Sequence, residues 1–580
     1  MRRIAAAVVL ATGVVAASSV PVRGQESESA QAVLPESRTD QTTLPDAIDL
    51  KGGRPRVDPT TPDPAATNLS DSVGDLSGPP TLSLPNQPEQ VRIKELRPLT
   101  LEEVLQIAEV NSPTLKAVVK QEEQAKSSLR AAISVWYPTL DLSANGLPEY
   151  FKSYTYRNPK YVPQPTPFEV LETSRETYGR QWRVSANLRL SWDIINPARV
   201  PQIAAARDSY ERVRHAYIVA LRDLRLETAT AYFRLQESDE GVRIGQDSVR
   251  ASLISLRDAR ARYNAGVNTK LEVLEAETQL ARDKRLLTDR LTTQQLTRRN
   301  LARLMNLPQD VTPTAATPAR PLGLWGSSLQ ESITAAYRFR EELDQLILDV
   351  SIANSQANAS LAAVQPVLSF INNSNTFRIE GQTGRYSYGD IDMDDYRWGV
   401  DNSTLLAATW RLFDGGRARA EYRRFKQAAE ESEQNFAAQR DLIRLEVEQS
   451  FVSLRAAIQD IETTSSEVIS SRESLRLSQL RVQAGVSAQR EVVDNQRDLT
   501  NAEINYAGAI REYNVSLAEL RRRTGLDALI GCPTPELPSQ KPETGGIEMP
   551  IEPTPLKSAC TAVTAEGQTG ADSQPVQPLW

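Results

Sequence analysis

The chain has 580 residues, of which 40% are apolar and 24% charged, with a formal net charge of −7 and a pI near 5.4. That balance leaves no global basic field to hold nucleic acid. It supplies enough apolar residues for a core, and well short of what a multi-span inner-membrane protein requires.

The start, MRRIAAAVVLATGVVAASS, has two arginines, an apolar run from Ile4 to about Ala17 and then small residues, which is the pattern of a secretory signal over residues 1–25. Its apolar run is too short to cross a bilayer as a helix. No later window reaches the roughly 18 apolar residues that a spanning helix needs. Residues 26–97 are rich in Pro, Ser, Thr, Asp and Gln without a helical or strand period, and are expected to be disordered, as are residues 527–580. The two cysteines, Cys532 and Cys560, lie in this C-terminal tail, where pairing in an oxidising compartment and incidental occurrence are both open.

Between the tails the chain repeats itself. Leu101, Leu105, Ala108, Leu115 and Val118 match Leu329, Ile333, Ala336, Leu343 and Leu346 at a constant offset, and RYNAGVNTKLEVLEAET from Arg262 matches RVQAGVSAQREVVDNQR from Arg481. One unit used twice, over 98–320 and 321–526, predicts approximate internal two-fold repetition. Each unit opens on a capping box, Thr100-x-x-Glu103 and Ser328-x-x-Glu331, followed by a predicted helix of about 35 residues.

The period then changes to two. From Arg180 to Asp193, Trp182, Val184, Ala186, Leu188, Leu190 and Trp192 fall on one face, against Arg183, Ser185, Asn187, Arg189 and Ser191 on the other. A corresponding strand is predicted from Trp398 to Phe413, with Trp398, Val400, Leu406, Ala408, Trp410 and Leu412 on one face. Leu140, Leu142 and Ala144 suggest a third strand, and Pro366 to Phe377 a fourth that rests on the repeat rather than on alternation.

After each strand pair comes a stretch with almost no helix breaker, about 198–265 and 417–484, which predicts helices on the order of 100 Å long. Ile203, Ala206, Tyr210, Val213, Tyr217, Ala220 and Leu224 form a coiled-coil seam, and Tyr422, Phe425, Ala429, Ser432, Phe436, Gln439 and Ile443 a more polar one. Return helices over about 269–304 and shorter helices entering the strands, stacked end to end, nearly match one long helix.

Four strands cannot close a barrel, and open edges would leave unpaired backbone groups in lipid. Three copies would supply twelve antiparallel strands. About 19 of the 34 aromatic residues fall within 136–193 and 365–413, under a fifth of the chain, as interfacial girdles require. The fold class is therefore mainly α with β: long antiparallel coiled-coil helices forming a tunnel, four strands per chain for a trimeric barrel, and an internal repeat.

These motifs resemble those of the TolC-type outer membrane efflux family. The leading helix carries L-x-x-A and N-x-P-x-L at Leu105, Ala108, Asn111, Pro113 and Leu115. A strand entry YPTLDLSA stands at Tyr137–Ala144 and a strand exit LFDGG at Leu412–Gly416. The hairpin signatures at 262–277 and 481–496 complete a match that runs in order over 98–526. The first unit departs from the strand exit, reading WDIINPARV.

The resemblance implies a passive exit duct of a tripartite efflux or type I secretion system in the cell outer membrane, extending into the periplasm as a homotrimer. Its partners would be outer-membrane lipid, a periplasmic adaptor and an inner-membrane transporter. The hairpin turns at Gly266, Val267, Gly485 and Val486 would be the adaptor-contact tips, and Trp182, Leu188, Trp192, Trp398 and Trp410 would face lipid. Glu491 and Asp494, on one helical face, match by position the acidic residues that narrow the entrance in the family; three copies would bring six carboxylates together and favour cations. Glu272 and Glu275 stand at the equivalent places of the first unit and are expected to face outward or towards the partner. Where the family often has a Tyr and an Arg tethering the gate, this chain has Val482 and Ser487.

No catalytic cluster is visible. The only histidine, His215, lies inside a long helix, and neither cysteine has metal-ligand spacing, so neither an enzyme nor a cofactor is expected. The competing reading is a non-transporting coiled-coil protein that bridges envelope layers; the period-2 strands with tryptophan girdles favour the channel.

Overall fold

The computed structural model describes residues 65–157, 175–267, 269–385, 391–526 and 529–531. The expected signal segment and both cysteines lie outside them. Two similar halves follow one another. The first runs β1 (Glu95–Leu99), α1 (Leu101–Asn111), α2 (Pro113–Ile133), β2 (Thr139–Arg157), β3 (Arg175–Ile195), α3 (Arg199–Asn264), α4 (Lys270–Leu304) and β4 (Val311–Ala315). The second runs β5 (Gly323–Trp325), α5 (Leu329–Phe339), α6 (Glu341–Ala362), β6 (Val367–Arg385), β7 (Ile391–Thr409), α7 (Arg417–Gln483), α8 (Gln489–Thr524) and β8 (Leu529–Gly531).

Both capping boxes close as the sequence requires. Thr100 and Glu103 bond each other's backbone N–H, and Ser328 and Glu331 do the same. The single long helix expected after each cap is instead two helices, broken at Ser112 and at Arg340. Pro113 has no N–H to continue α1 and sits in the first turn of α2, where none is needed; the Ser112 hydroxyl accepts from Leu115 N at 3.3 Å. The break in the second half has no proline. There Arg340 takes an extended conformation and its guanidinium bonds Glu342 and Glu446.

The 66 residues of α3 and 67 of α7 give helices of roughly 100 Å. Beside α3 lie α2 and α4, and beside α7 lie α6 and α8, so each long helix has two shorter partners along its length. Apolar seams hold each pair, Leu256, Ala259, Ala276 and Leu280 in one hairpin and Val468, Leu475, Val482, Val492, Leu499 and Ala502 in the other.

β2, β3, β6 and β7 form one antiparallel sheet in that order, leaving β2 and β7 as its edges. The strands have 19 to 21 residues, longer than the expected Arg180–Asp193 and Trp398–Phe413. In β2 the alternation is interrupted by an irregularity between Asn145 and Glu149, where Gly146 has φ of 67°, which hid the strand's second half from a period-2 reading. At the other end the predicted Trp398–Phe413 strand is too long: β7 stops at Thr409, and Trp410, Leu412 and Phe413 lie beyond it.

Two expectations of disorder are corrected. Residues 65–79 pack around α1, while 80–96 run exposed. Val73 and Leu76 are fully buried against Leu99, Val104, Ile107 and Phe233. Main-chain groups there bond to polar side chains, Ala66 N to Glu109 at 2.7 Å and Gly78 N to Asn111 at 3.0 Å. Two apolar anchors held by side-chain hydrogen bonds have no period to read. β1 also pairs in parallel with β4, and in the tail β8 pairs with β5, so these short strands escaped the sequence reading as well.

The two halves meet at a charge network whose Arg222–Glu341 pair is buried. Arg222 pairs with Glu341 at 2.6 Å, Arg522 with Glu342 at 2.8 Å and Asp223 at 2.6 Å, and Arg523 with Glu446 at 2.8 Å. Burial raises the Glu341 carboxyl to about 7 against the pull of Arg222. Glu342 is partly buried, and hydrogen bonds from Arg340 with the charge of Arg522 overcome that cost and hold it at about 2.

Candidate functional site

Three surfaces carry the residues of interest: the sheet, the strand exits and the hairpin tips. On the sheet, register places Leu140, Leu142, Tyr150, Trp182, Val184, Leu188, Trp192, Trp398, Val400 and Leu406 on one face. They are exposed in the single chain, Leu142 by 74% and Trp398 by 69%, which is an unusual apolar surface to leave open. The opposite face carries Asp141, Glu149, Arg183, Asn187, Arg189 and Arg397.

β6 is the exception. Beyond Phe370, its residues on the apolar face are polar, Asn372, Ser374, Thr376, Arg378, Glu380 and Gln382, and Asn372 bonds across to Asn402 at 3.0 Å and Thr404 at 2.7 Å. This polar stripe explains why β6 was the strand that alternation failed to find. Trp182 and Trp192 on β3 lie ten residues apart, which at the usual rise and tilt is a height of ~25 Å, that of an outer-membrane apolar belt.

The strand exits repeat one design. The Trp192 indole donates to the Trp136 carbonyl at 2.9 Å, and the Trp410 indole to the Val364 carbonyl at 3.0 Å, so both tie strand exit to strand entry. In LFDGG, Asp414 accepts from Gly416 N at 2.8 Å and Ala418 N at 2.7 Å and starts α7. Asn196 occupies the matching place in WDIINPARV and accepts from Ala198 N at 3.1 Å. The departure in the first unit is thus one amide doing a carboxylate's work. Arg199, buried, then stacks at 4.4 Å over Trp136.

The two tips are built alike. Gly266 and Gly485 both have φ of 73°. Val267 N bonds to Arg262 O and Gly266 N to Tyr263 O, with Val486 to Arg481 and Gly485 to Val482 in the other tip. These are matched Schellman caps, and positive φ is the reason for glycine, since an added Cβ would meet nothing within 4 Å. Val267 and Val486 are three-quarters and 71% exposed.

Glu491 follows the second tip and is not a bare carboxylate. Arg481 reaches it across the turn at 2.8 Å, and the Ser487 hydroxyl donates to its other oxygen. Asp494 lies between Arg490 at 3.7 Å and Arg497 at 3.5 Å. Sequence reading missed these arginines, although the i±3 and i±4 spacing around Asp494 could have found two of them. Of the positions that differ from the family tether, Ser487 serves Glu491, whereas the Val482 side chain is buried in the apolar seam. The Val482 carbonyl accepts from Arg262 of the first hairpin at 3.2 Å, and Gln489 bonds Ser255 at 2.7 Å. Between the hairpins lies a cavity of about 270 Å³ lined by Gln279, Gln479, Gln483, Gln489 and Gln496.

A family model described as outer membrane efflux protein matches residues 104–307 and 334–526, one match on each half. Solved structures share the fold. CusC, in a study of its folding and transmembrane channel formation, is 15% identical with a TM-score of 0.58 over 77% of this chain and 95% of its own. The outer membrane protein VceC of Vibrio cholerae is 17% identical with a TM-score of 0.56 over 73% and 96%. The MtrE outer membrane channel of Neisseria gonorrhoeae, solved in an open state, is 16% identical with a TM-score of 0.53 over 77% and 96%. No curated protein matches the sequence significantly.

Proposed function

The chain belongs to the outer membrane efflux protein family, and we propose that three copies join β2 of one to β7 of the next to make a twelve-stranded barrel continued by a tunnel of coiled-coil helices. It is an outer-membrane channel through which efflux substrates leave the cell. The observation that carries the trimer is the four-stranded sheet with two free edges and an exposed apolar face. Lipid cannot satisfy free strand edges, and further copies of the same sheet can.

In this reading the apolar face meets lipid, with Trp182 and Trp398 near one interface and Trp192 and Trp410 near the other. Leu188 lies between them, and Arg183 and Arg189 line the lumen. The helices project into the periplasm, and the exposed Val267 and Val486, on the caps of Gly266 and Gly485, offer the contact for a periplasmic adaptor and, through it, an inner-membrane transporter. Glu491 and Asp494 line the entrance as a ring whose charge is partly offset by Arg481, Arg490 and Arg497. Exposed ion pairs of this kind are weak, at about 0–1 kcal/mol each, so they can rearrange when the entrance widens.

Cysteine labelling tests the orientation. Cysteine variants at Trp182 and Leu188 are expected to resist a membrane-impermeant thiol reagent, while variants at Arg183 and Arg189 react through the lumen. The reverse pattern contradicts the assignment of faces.

A further inference from the structure

We propose that Lys152 and Arg180 form a binding site for the phosphate of a lipid headgroup in the outer leaflet; the site rests on the reading of the sheet as part of an outer-membrane barrel. Register sets Lys152 directly opposite Arg180 on β2 and β3. Like charges in that position destabilise a strand pair. Nearer the helices the same ladder obeys the opposite rule, with Asp141 opposite Arg189 and Glu149 opposite Arg183. Arg397 and Arg378 have acids at hand, Asp395 at 2.8 Å and Glu380, whereas the outermost pair of the β2–β3 ladder, Arg157 opposite Arg175, repeats the like charge. Among the described residues the side chains of Lys152 and Arg180 have no ion-pair or hydrogen-bond partner, and both are exposed.

The position identifies the anion. Both cations lie on the apolar face, two residues beyond Tyr150 and Trp182, whose rings are in contact at 4.9 Å between centroids. Two residues along a tilted strand is a height of ~5 Å, which places the charges between that aromatic row and the next, Tyr154 opposite Tyr178, at headgroup depth. Directly opposite residues have Cβ atoms roughly 5 Å apart, so an ammonium and a guanidinium can close on one phosphate with charge-assisted hydrogen bonds. The aromatic pair and, below it, Leu142 and Leu188 continue the surface down the path of an acyl chain. A soluble anion would leave that apolar continuation unused.

Native mass spectrometry of the full-length processed protein in detergent tests this, with the bis-phosphorylated glycolipid lipid A as probe and phosphatidylcholine as the zwitterionic control. The wild type is expected to retain one lipid A per chain. K152Q/R180Q should weaken retention roughly 30-fold, about fivefold for each cation, and leave phosphatidylcholine uptake unchanged. K152R/R180K should bind as the wild type does. Equal retention of lipid A by the wild type and K152Q/R180Q overturns the site. So does a variant whose oligomer loses heat resistance with lipid retention intact, because Lys152, on an edge strand, would then be serving an ion pair between copies. The same spectra give the oligomer mass. A monomer that still retains lipid A faults the trimer and leaves the site standing, and a trimer with equal retention does the reverse.

Discussion

Arg481 holds Glu491 at 2.8 Å across the turn that joins α7 to α8. The residue expected to give the entrance its negative charge is therefore tied to a cation on the neighbouring helix. Replacing Arg481 by Gln should increase cation preference in single-channel recordings, because each copy then presents an unmatched carboxylate at the mouth. E491Q/D494N should do the opposite, weakening cation selectivity and block by multivalent cations from the helical side. E272Q/E275Q is the control for lost negative charge and should do much less. Unchanged selectivity in both R481Q and E491Q/D494N would remove these residues from the entrance.

The buried pair at the junction of the halves predicts a pH dependence. Burial raises Glu341 above its unfolded value to about 7, so its proton-bound form favours the folded chain below about pH 4.5, and that contribution is lost as pH rises to 7. Glu342 has the opposite sign. Held at about 2, it contributes stability above about pH 4.5 and loses it as pH falls towards 2. Thermal unfolding of the wild type should show its highest midpoint near pH 4.5 to 5, and E341Q should remove the decline from pH 5 to 8. The Glu341 effect is on the order of 3 kcal/mol per chain. A wild-type midpoint that climbs steadily to pH 8 would contradict the assignment.

Leu76 is buried beside Val73 in a segment that composition marks as disordered. L76A is expected to cost about 2–5 kcal/mol in denaturant unfolding, as leucine truncation in a packed core does. Substitution of the exposed Leu82 or Leu84 should cost well under 1 kcal/mol.

Gly266 and Gly485 adopt positive φ in open surroundings. G266A and G485A should each cost about 1 kcal/mol, felt as faster hydrogen exchange confined to the tip amides, with the sheet unchanged. If adaptor docking uses the tips, V267D and V486D should weaken adaptor pull-down without altering conductance.

Much of this architecture is legible in the sequence because its period is enforced over many residues. The long helices have almost no breakers, and β3 alternates from Trp182 to Trp192 without interruption, so pattern alone places them. The repeat at Arg262 and Arg481 adds the tips. What stayed hidden lacks a period: the packing of Val73 and Leu76, the parallel pairing of β1 with β4, and the polar face of β6, whose Asn372 is satisfied by cross-strand bonds that no single strand displays. The break at Arg340 was hidden for another reason. Pro113 announces its counterpart in the first half, whereas Arg340 leaves its helix to serve carboxylates on α6 and α7 that are distant or unmarked in sequence. At the candidate entrance, the two acids could be named from the repeat, but the hold of Arg481 on Glu491 depends on how tightly the turn at Gly485 closes.

The central claim is that one chain's open sheet becomes a channel only when three copies close it. The most direct measurement combines mass and conductance on one sample: outer-membrane fractions extracted in mild detergent, sized by native mass spectrometry and reconstituted into planar bilayers. The account predicts a homotrimer that opens discrete ion-conducting steps. A monomer confined to the soluble fraction, or a trimer that conducts nothing under conditions that open its entrance, would contradict it.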